Sequence, residues 1–227
     1  MGITFEEIAT IHPRLFHMAE HGSWRSIRKH GLLSTSALLD LYAIEGKSRA
    51  DIESKLRRDM VQVKGQGGGA AWIRDQRPMS DKKLAGCLRD GLTPTDWYRM
   101  LNGRVFFWLT EARLETLLAA YKDRMQLVLE VDTAALLDKH GAKTALTPMN
   151  TGCTSPMAFP RGLESFLPPH NYPFEENKRK KGGQTKAIVE LTVEYSVPDI
   201  ADFTMRATHR EFENGASKIV EVVYERR

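Results

Sequence analysis

The sequence predicts an α+β fold, and three observations carry that expectation. Apolar runs of single-strand length recur at Leu15–Ala19, Arg104–Leu109, Gln126–Val131 and Ala187–Val193. Segments with helical spacing and legible caps lie between them. No internal repeat is present, so the strands are dispersed along one domain of 227 residues.

Taken in order, Leu15–Ala19 is long enough for one buried strand. Ser23 then caps a short helix whose last turn is basic and whose end is marked by Gly31. Leu32–Ser36 leaves it as an extended segment, and Ala37–Ile44 and Arg49–Val61 are expected to be helical. The run from Lys64 to Gly69 is a flexible turn; it lacks the Gly-Lys-Ser/Thr of a phosphate loop and follows no strand. Asp81–Arg89 is a helix, and Thr93 caps another that opens with Pro94. Residues 45–101 thus form a helical, basic insert. Beyond the Asn102-Gly103 turn come the aromatic strand Arg104–Leu109, an amphipathic helix to about Tyr121, the strand Gln126–Val131 and the helix Thr133–His140. Residues 147–177 hold six of the ten prolines and form a long irregular loop. Lys178–Gly183 is a basic, flexible tip, and Ala187–Val193 and Ser217–Tyr224 are strands.

Hydrophobic residues make up 41% and charged residues 27%, which excludes disorder as the main state. Two cysteines build neither a disulfide framework nor a Cys₄ zinc site, and the seven histidines contain no His-Glu-x-x-His, so no metal site is expected. No stretch approaches a membrane span, and the start does not read as a secretory signal, so a cytoplasmic protein is expected. The net charge of +4 is unevenly spread. Residues 51–104 carry eleven basic against seven acidic groups and residues 175–187 five against two, which fits a basic rim around one site.

Few residues propose chemistry on their own. A Gly-x-Ser-x-Gly elbow is absent. Cys153 is read as a small residue in a tight loop or, less readily, as a nucleophile. Glu190 stands inside an apolar strand, where it either faces water on a half-exposed strand or serves a site. His17 is similarly placed, as a satisfied core histidine or a ligand-binding one. Phe106 and Trp108 alternate with Phe107 across their strand, so one face is core and the other is free to stack on a ligand.

Three segments taken together resemble the ADP-ribosyltransferase superfamily. They are Leu15–Ala19 with its helix and Gly31–Ser36, then Gly103–Thr110, then Lys186–Val193 running on through Ser196–Ile200. Their order is that of the histidine–aromatic–glutamate branch, and the chain is most similar to the DarT-type DNA ADP-ribosyltransferases. The matched residues cover about a fifth of the chain. The branch often has tyrosine in the aromatic strand; this chain has none there.

The resemblance implies a split β-sheet core, NAD as co-substrate and Glu190 as the catalytic carboxylate. It also implies that His17 holds a ribose hydroxyl, that Ser34 and Thr35, with Ser36, fix the nicotinamide amide or a ribose, and that Phe107 or Trp108 stacks. Arg104, with Arg113, would meet the pyrophosphate. Lys178, Arg179, Lys180 and Lys181 fall where such a fold presents its acceptor, and their charge suits a phosphate backbone. The expected function is NAD-dependent ADP-ribosylation of a nucleic acid base, as a bacterial toxin or phage-defence effector with an antitoxin partner. The alternatives are an RNA 2′-phosphotransferase, a protein- or small-molecule-directed transferase, and a non-catalytic nucleic-acid-binding module.

Overall fold

The computed structural model describes residues 2–65 and 69–226. In chain order they form α1 (Phe5–Ile11), β1 (Arg14–Glu20), α2 (Trp24–His30), β2 (Leu32–Leu33), α3 (Thr35–Leu41), α4 (Gly46–Glu53), β3 (Val61–Lys64) and β4 (Ala70–Ile73). There follow α5 (Asp81–Ala85), α6 (Pro94–Asn102), β5 (Arg104–Trp108), α7 (Glu111–Ala120), β6 (Gln126–Asp132), α8 (Thr133–His140) and β7 (Thr144–Thr147). The chain ends with α9 (Phe174–Lys181), α10 (Gln184–Ala187), β8 (Glu190–Glu194), β9 (Ser196–Val197), α11 (Ile200–Phe203), β10 (Thr204–Glu213) and β11 (Ala216–Glu225). The expected α+β class holds.

Seven strands make one antiparallel sheet in the order β11-β10-β6-β1-β5-β8-β7. Alternation sends Leu15, Leu127, Leu129, Val131, Phe107 and Leu191 to one face. There they meet α1, α2, α8 and α11 in the main core. The opposite face carries Phe16, Met18 and Val128 against Leu114 and Leu118 of α7. Further along that face, Phe106 packs with Trp97 of α6 and with Phe166.

Pairing is uneven at one place. β1 runs beside β6 through seven consecutive residue pairs but meets β5 at a single pair, Phe16 with Trp108. The two strands diverge beyond it, so the sheet parts between Met18–Glu20 and Arg104–Phe106.

Several sequence expectations change. The segment after the second helix extends for only two residues. Ser34 then becomes the cap of α3, its Oγ accepting from the Ala37 amide at 3.1 Å. Residues 45–101 are not wholly helical: β3 and β4 form a hairpin buried through Val63 and Ile73 against Leu39 and Ile52. Of the glycine-rich run between those strands, Gln66–Gly68 lie outside the described residues. Lys178–Lys181 are not a flexible tip but the last turn of α9, which ends at left-handed Gly182. Their positive charge sits at the helix's negative end, with Glu175 and Glu176 in its first turn. Strand pairing also begins later than expected, at Glu190, because Ala187 closes a helical turn.

The proline-rich segment is ordered by one side chain. Arg161, 2% exposed, donates from Nη1 to Thr151 O at 3.0 Å, from Nη2 to Cys153 O at 2.9 Å and from Nε to Phe159 O at 3.1 Å. Its guanidinium carbon lies 5.6 Å from the centre of the Trp97 ring. Cys153 sits in the turn so made, its sulfur bonded to the Ser155 backbone. Replacing Arg161 with Met strands three carbonyls. We expect a loss of about 2–4 kcal/mol in unfolding free energy, read from urea denaturation curves; an unchanged midpoint would show that the loop holds itself.

Candidate active site

The parting of β1 from β5 opens a cleft of about 720 Å³, lined among others by His17, Thr35, Arg74, Phe106, Trp108 and Glu190. Its floor includes the outward face of β5. Arg104, Phe106 and Trp108 share that face by alternation and span roughly 14 Å, at about 3.4 Å per residue. Glu190 pairs with Trp108 at one end of this floor, and Arg104 lies at the other, opposite Glu194. Glu190 and His17 come from strands on either side of β5, so their backbones stand about two strand spacings apart, roughly 10 Å.

Glu190 does not face water. It is 3% exposed, and Oε2 accepts from the Thr151 hydroxyl at 2.8 Å, the Thr151 amide at 3.2 Å and the Thr147 hydroxyl at 3.5 Å. Oε1 has no protein partner among the described residues. Burial raises the Glu190 pKa to about 7, against the pull of Thr151 and of nearby Arg113. The carboxyl is therefore poised between its two protonation states near neutral pH.

His17 is fixed by the parting of the sheet. β5 turns its Phe106 carbonyl toward the gap, and His17 Nδ1 lies 2.8 Å from that oxygen. A carbonyl only accepts, so Nδ1 carries the proton. Burial lowers the His17 pKa to about 4, with Arg74 adding to the effect, so the ring is neutral at pH 7. Nε2 is then an acceptor at the cleft wall with no protein partner among the described residues. The ring also meets the edge of Phe107 at 5.8 Å between centroids.

The other expected site residues divide. Thr35, Trp108 and Arg104 line the cleft. Phe107 does not stack on a ligand: at 1% exposure it belongs to the main core, and Phe106 and Trp108 occupy the open face. Ser34 spends its hydroxyl on the α3 cap. Lys178 and Lys180 pair with Glu175 and Glu176, and Arg179 is exposed on the same turn. Lys181 folds inward to donate to the Pro148 carbonyl; burial and Arg113 lower its pKa to about 8. No cluster of metal-ligating side chains occurs among the described residues.

Sequence reasoning missed Thr147 and Thr151, which hold Glu190, and Arg74 and Tyr121 at the far end of the cleft. Thr151 neighbours Cys153 in the sequence, but only the fold carries it to Glu190. The chain belongs to a family of unknown function, DUF7002, whose model matches residues 13–204. That range runs from the start of β1 to the first residue of β10 and takes in every cleft residue named above. No curated protein matches the chain.

The two shifts act oppositely on stability. Glu190 has a folded pKa above its ordinary 4.5, so its contribution is full below 4.5 and is lost as pH rises through about 7. That gap corresponds to about 3 kcal/mol. His17 has a folded pKa below 6.5, so its contribution is full above 6.5 and is lost as pH falls through about 4. Glu190→Gln should therefore gain stability relative to the parent protein between pH 5 and pH 8. Parallel denaturant titrations at the two pH values would show it; a constant difference would mean that Glu190 titrates as an exposed carboxylate.

Proposed function

We propose that the cleft binds NAD and transfers its ADP-ribose to a nucleic acid base. The observation that carries this reading is that one cleft is lined by a buried carboxylate with an oxygen unpartnered among the described residues and by a neutral histidine, from the strands on either side of β5. The volume is in the range of small-molecule sites, roughly 300–1,000 Å³. The residues present also fit the group. His17 Nε2 can accept from a ribose hydroxyl, Thr35 offers a second hydroxyl, and Trp108 or Phe106 offers a ring face to nicotinamide.

Transfer breaks the bond between C1′ of the ribose and the nicotinamide nitrogen, and the electron pair leaves with nicotinamide. An acceptor nitrogen or oxygen forms the new bond to C1′ and gives up its proton. Positive charge grows on the ribose in the transition state, and Glu190, ionised, stabilises it electrostatically. Oε1 is free for the 2′-hydroxyl while Thr147 and Thr151 hold Oε2, so the carboxylate needs no reorganisation. With its pKa near 7, Glu190 can also take the acceptor's proton. A flipped or single-stranded base suits such a pocket. Toxin or defence activity, with an antitoxin to restrain it, would follow from uncontrolled modification of nucleic acid.

Incubation with labelled NAD and a panel of single- and double-stranded DNA and RNA tests the reading. Transfer to nucleic acid and release of nicotinamide are expected. Glu190→Gln should reduce both about 10²–10³-fold, and His17→Ala should weaken the thermal stabilisation produced by NAD. Full transfer by Glu190→Gln would overturn the assignment.

A further inference from the structure

Among the described residues, Trp72 is the one large apolar side chain of the cleft lining that is exposed, at 43%. A single exposed ring is ordinary on a protein surface, but the hairpin that carries this one gives it a setting. β3 and β4 pair Val61 with Ile73, Gln62 with Trp72, Val63 with Ala71 and Lys64 with Ala70. Alternation divides these eight residues between two faces. Val61, Val63, Ala71 and Ile73 turn inward to the cluster with Leu39 and Ile52. Gln62, Lys64, Ala70 and Trp72 are exposed on the other face, which therefore holds one large ring, one cation and no carboxylate.

That outward face is held from beneath, so the hairpin does not need Trp72 to stay folded. Gly65 donates its amide to Gly69 O at 2.9 Å, and a Cβ at Gly65 would stand 2.5 Å from the Tyr42 ring. The tip thus rests directly on Tyr42. Lys64 is the diagonal neighbour of Trp72 across the ladder, about 7–8 Å away. Arg77 belongs to the same cleft lining. Its Nε donates to Arg58 O at 3.0 Å, and its Nη2 meets the exposed Asp59 carboxylate at 3.3 Å. An ion pair so open to water holds its arginine weakly.

An exposed ring with cations beside it is the surface that unpaired nucleic acid takes: bases stack on the ring and phosphates meet the cations. The last turn of α9 lacks this combination. Lys178 and Lys180 are paired with Glu175 and Glu176, and Lys181 turns inward. We infer that the outward face of the β3–β4 hairpin docks a single-stranded nucleic acid as it passes to the cleft, with a base stacked on Trp72 and phosphates at Lys64 and Arg77. That this strand is the acceptor rests on the transfer reading; docking itself needs no catalysis and is measured apart from it. A duplex keeps its base faces stacked on one another, so it has none to offer the indole.

A short fluorescein-labelled single strand of mixed sequence, titrated with the full chain in the absence of NAD and followed by fluorescence anisotropy, tests the inference. Binding is expected, with the duplex of the same sequence about tenfold weaker or more. Trp72→Leu keeps apolar bulk without a π face and should weaken single-strand binding about fivefold or more, whereas Trp72→Phe should retain most of it. Lys64→Gln should lower the slope of log affinity against log salt by about 0.7. Absence of binding, equal binding of strand and duplex, or equal binding by the parent and Trp72→Leu would overturn the inference. So would binding lost in Lys178→Gln/Lys180→Gln and kept in Trp72→Leu. Loss of NAD-induced thermal stabilisation in Trp72→Leu with strand binding intact would place the indole against NAD and overturn it as well. Should Trp72→Leu not fold, the parent protein decides: the strand must protect Trp72 from oxidative labelling, read by peptide mass, and absence of protection is a negative result. Strand binding lost in Trp72→Leu, without nicotinamide release from NAD by the parent, would leave the docking face standing and remove the transfer reading. Transfer by a Trp72→Leu variant that binds the strand as the parent does would do the reverse.

Discussion

Where β1 leaves β5, the backbone of β5 loses the neighbour that would otherwise satisfy it. The Phe106 carbonyl is left pointing into the gap, and His17 fills the gap and donates to that oxygen. One hydrogen bond thus does what a ladder does elsewhere in the sheet, and it has three consequences. It bridges the parted strands beside the cleft. It fixes the histidine tautomer, so an acceptor nitrogen is presented to that cleft. It also satisfies the one N–H of the neutral ring, although the bond itself pulls the pKa up and burial is what keeps the ring uncharged.

The other wall depends on a chain of supports reaching far from the sheet. Trp97, buried in α6, packs beside Arg161; Arg161 gathers the carbonyls of Thr151, Cys153 and Phe159; Thr151 then turns its hydroxyl and amide to Glu190. The basic insert is therefore not an appendage, because α6 supplies the platform on which the carboxylate's supports rest. Burial raises the Glu190 pKa while the threonines moderate it, and the balance falls near neutrality. A functional carboxylate needs both effects: enough desolvation to make its charge strong, and enough support to keep it ionisable.

Charge along the chain told less than charge in space. Lys178–Lys181 look like a free cationic tip in sequence, yet the fold places them at a helix end, two of them paired and one turned inward. The excess in residues 51–104 is the one that reaches the cleft, through Arg57, Arg74, Arg77 and Arg104. Most of those guanidinium groups serve local carbonyls and carboxylates, whereas Arg74 Nη1 and the Arg104 guanidinium make no hydrogen bond among the described residues.

Much of the sheet was legible because β1, β5 and β6 are apolar runs of strand length, and α8 begins and ends where Asp132 and Gly141 mark it. β7 and β10 were not. Thr144–Thr147 is too short to show a period, and Thr204–Glu213 carries arginine, histidine and glutamate within its alternation. His17 and Glu190 stood out as polar residues inside apolar strands, a local anomaly that a sequence displays. Which face of β5 is open could not be read from alternation, since Phe106, Phe107 and Trp108 are equally aromatic. The packing of Phe107 into the main core decided it. The sequence by itself determined the fold class, the strands that frame the cleft and the two residues out of keeping with them, because these follow from local periodicity. The parting of the sheet, the threonines that hold Glu190 and an Arg74 amino group without a partner among the described residues were decided only by tertiary structure. Each depends on residues distant in the chain meeting in space, and no local pattern encodes that meeting.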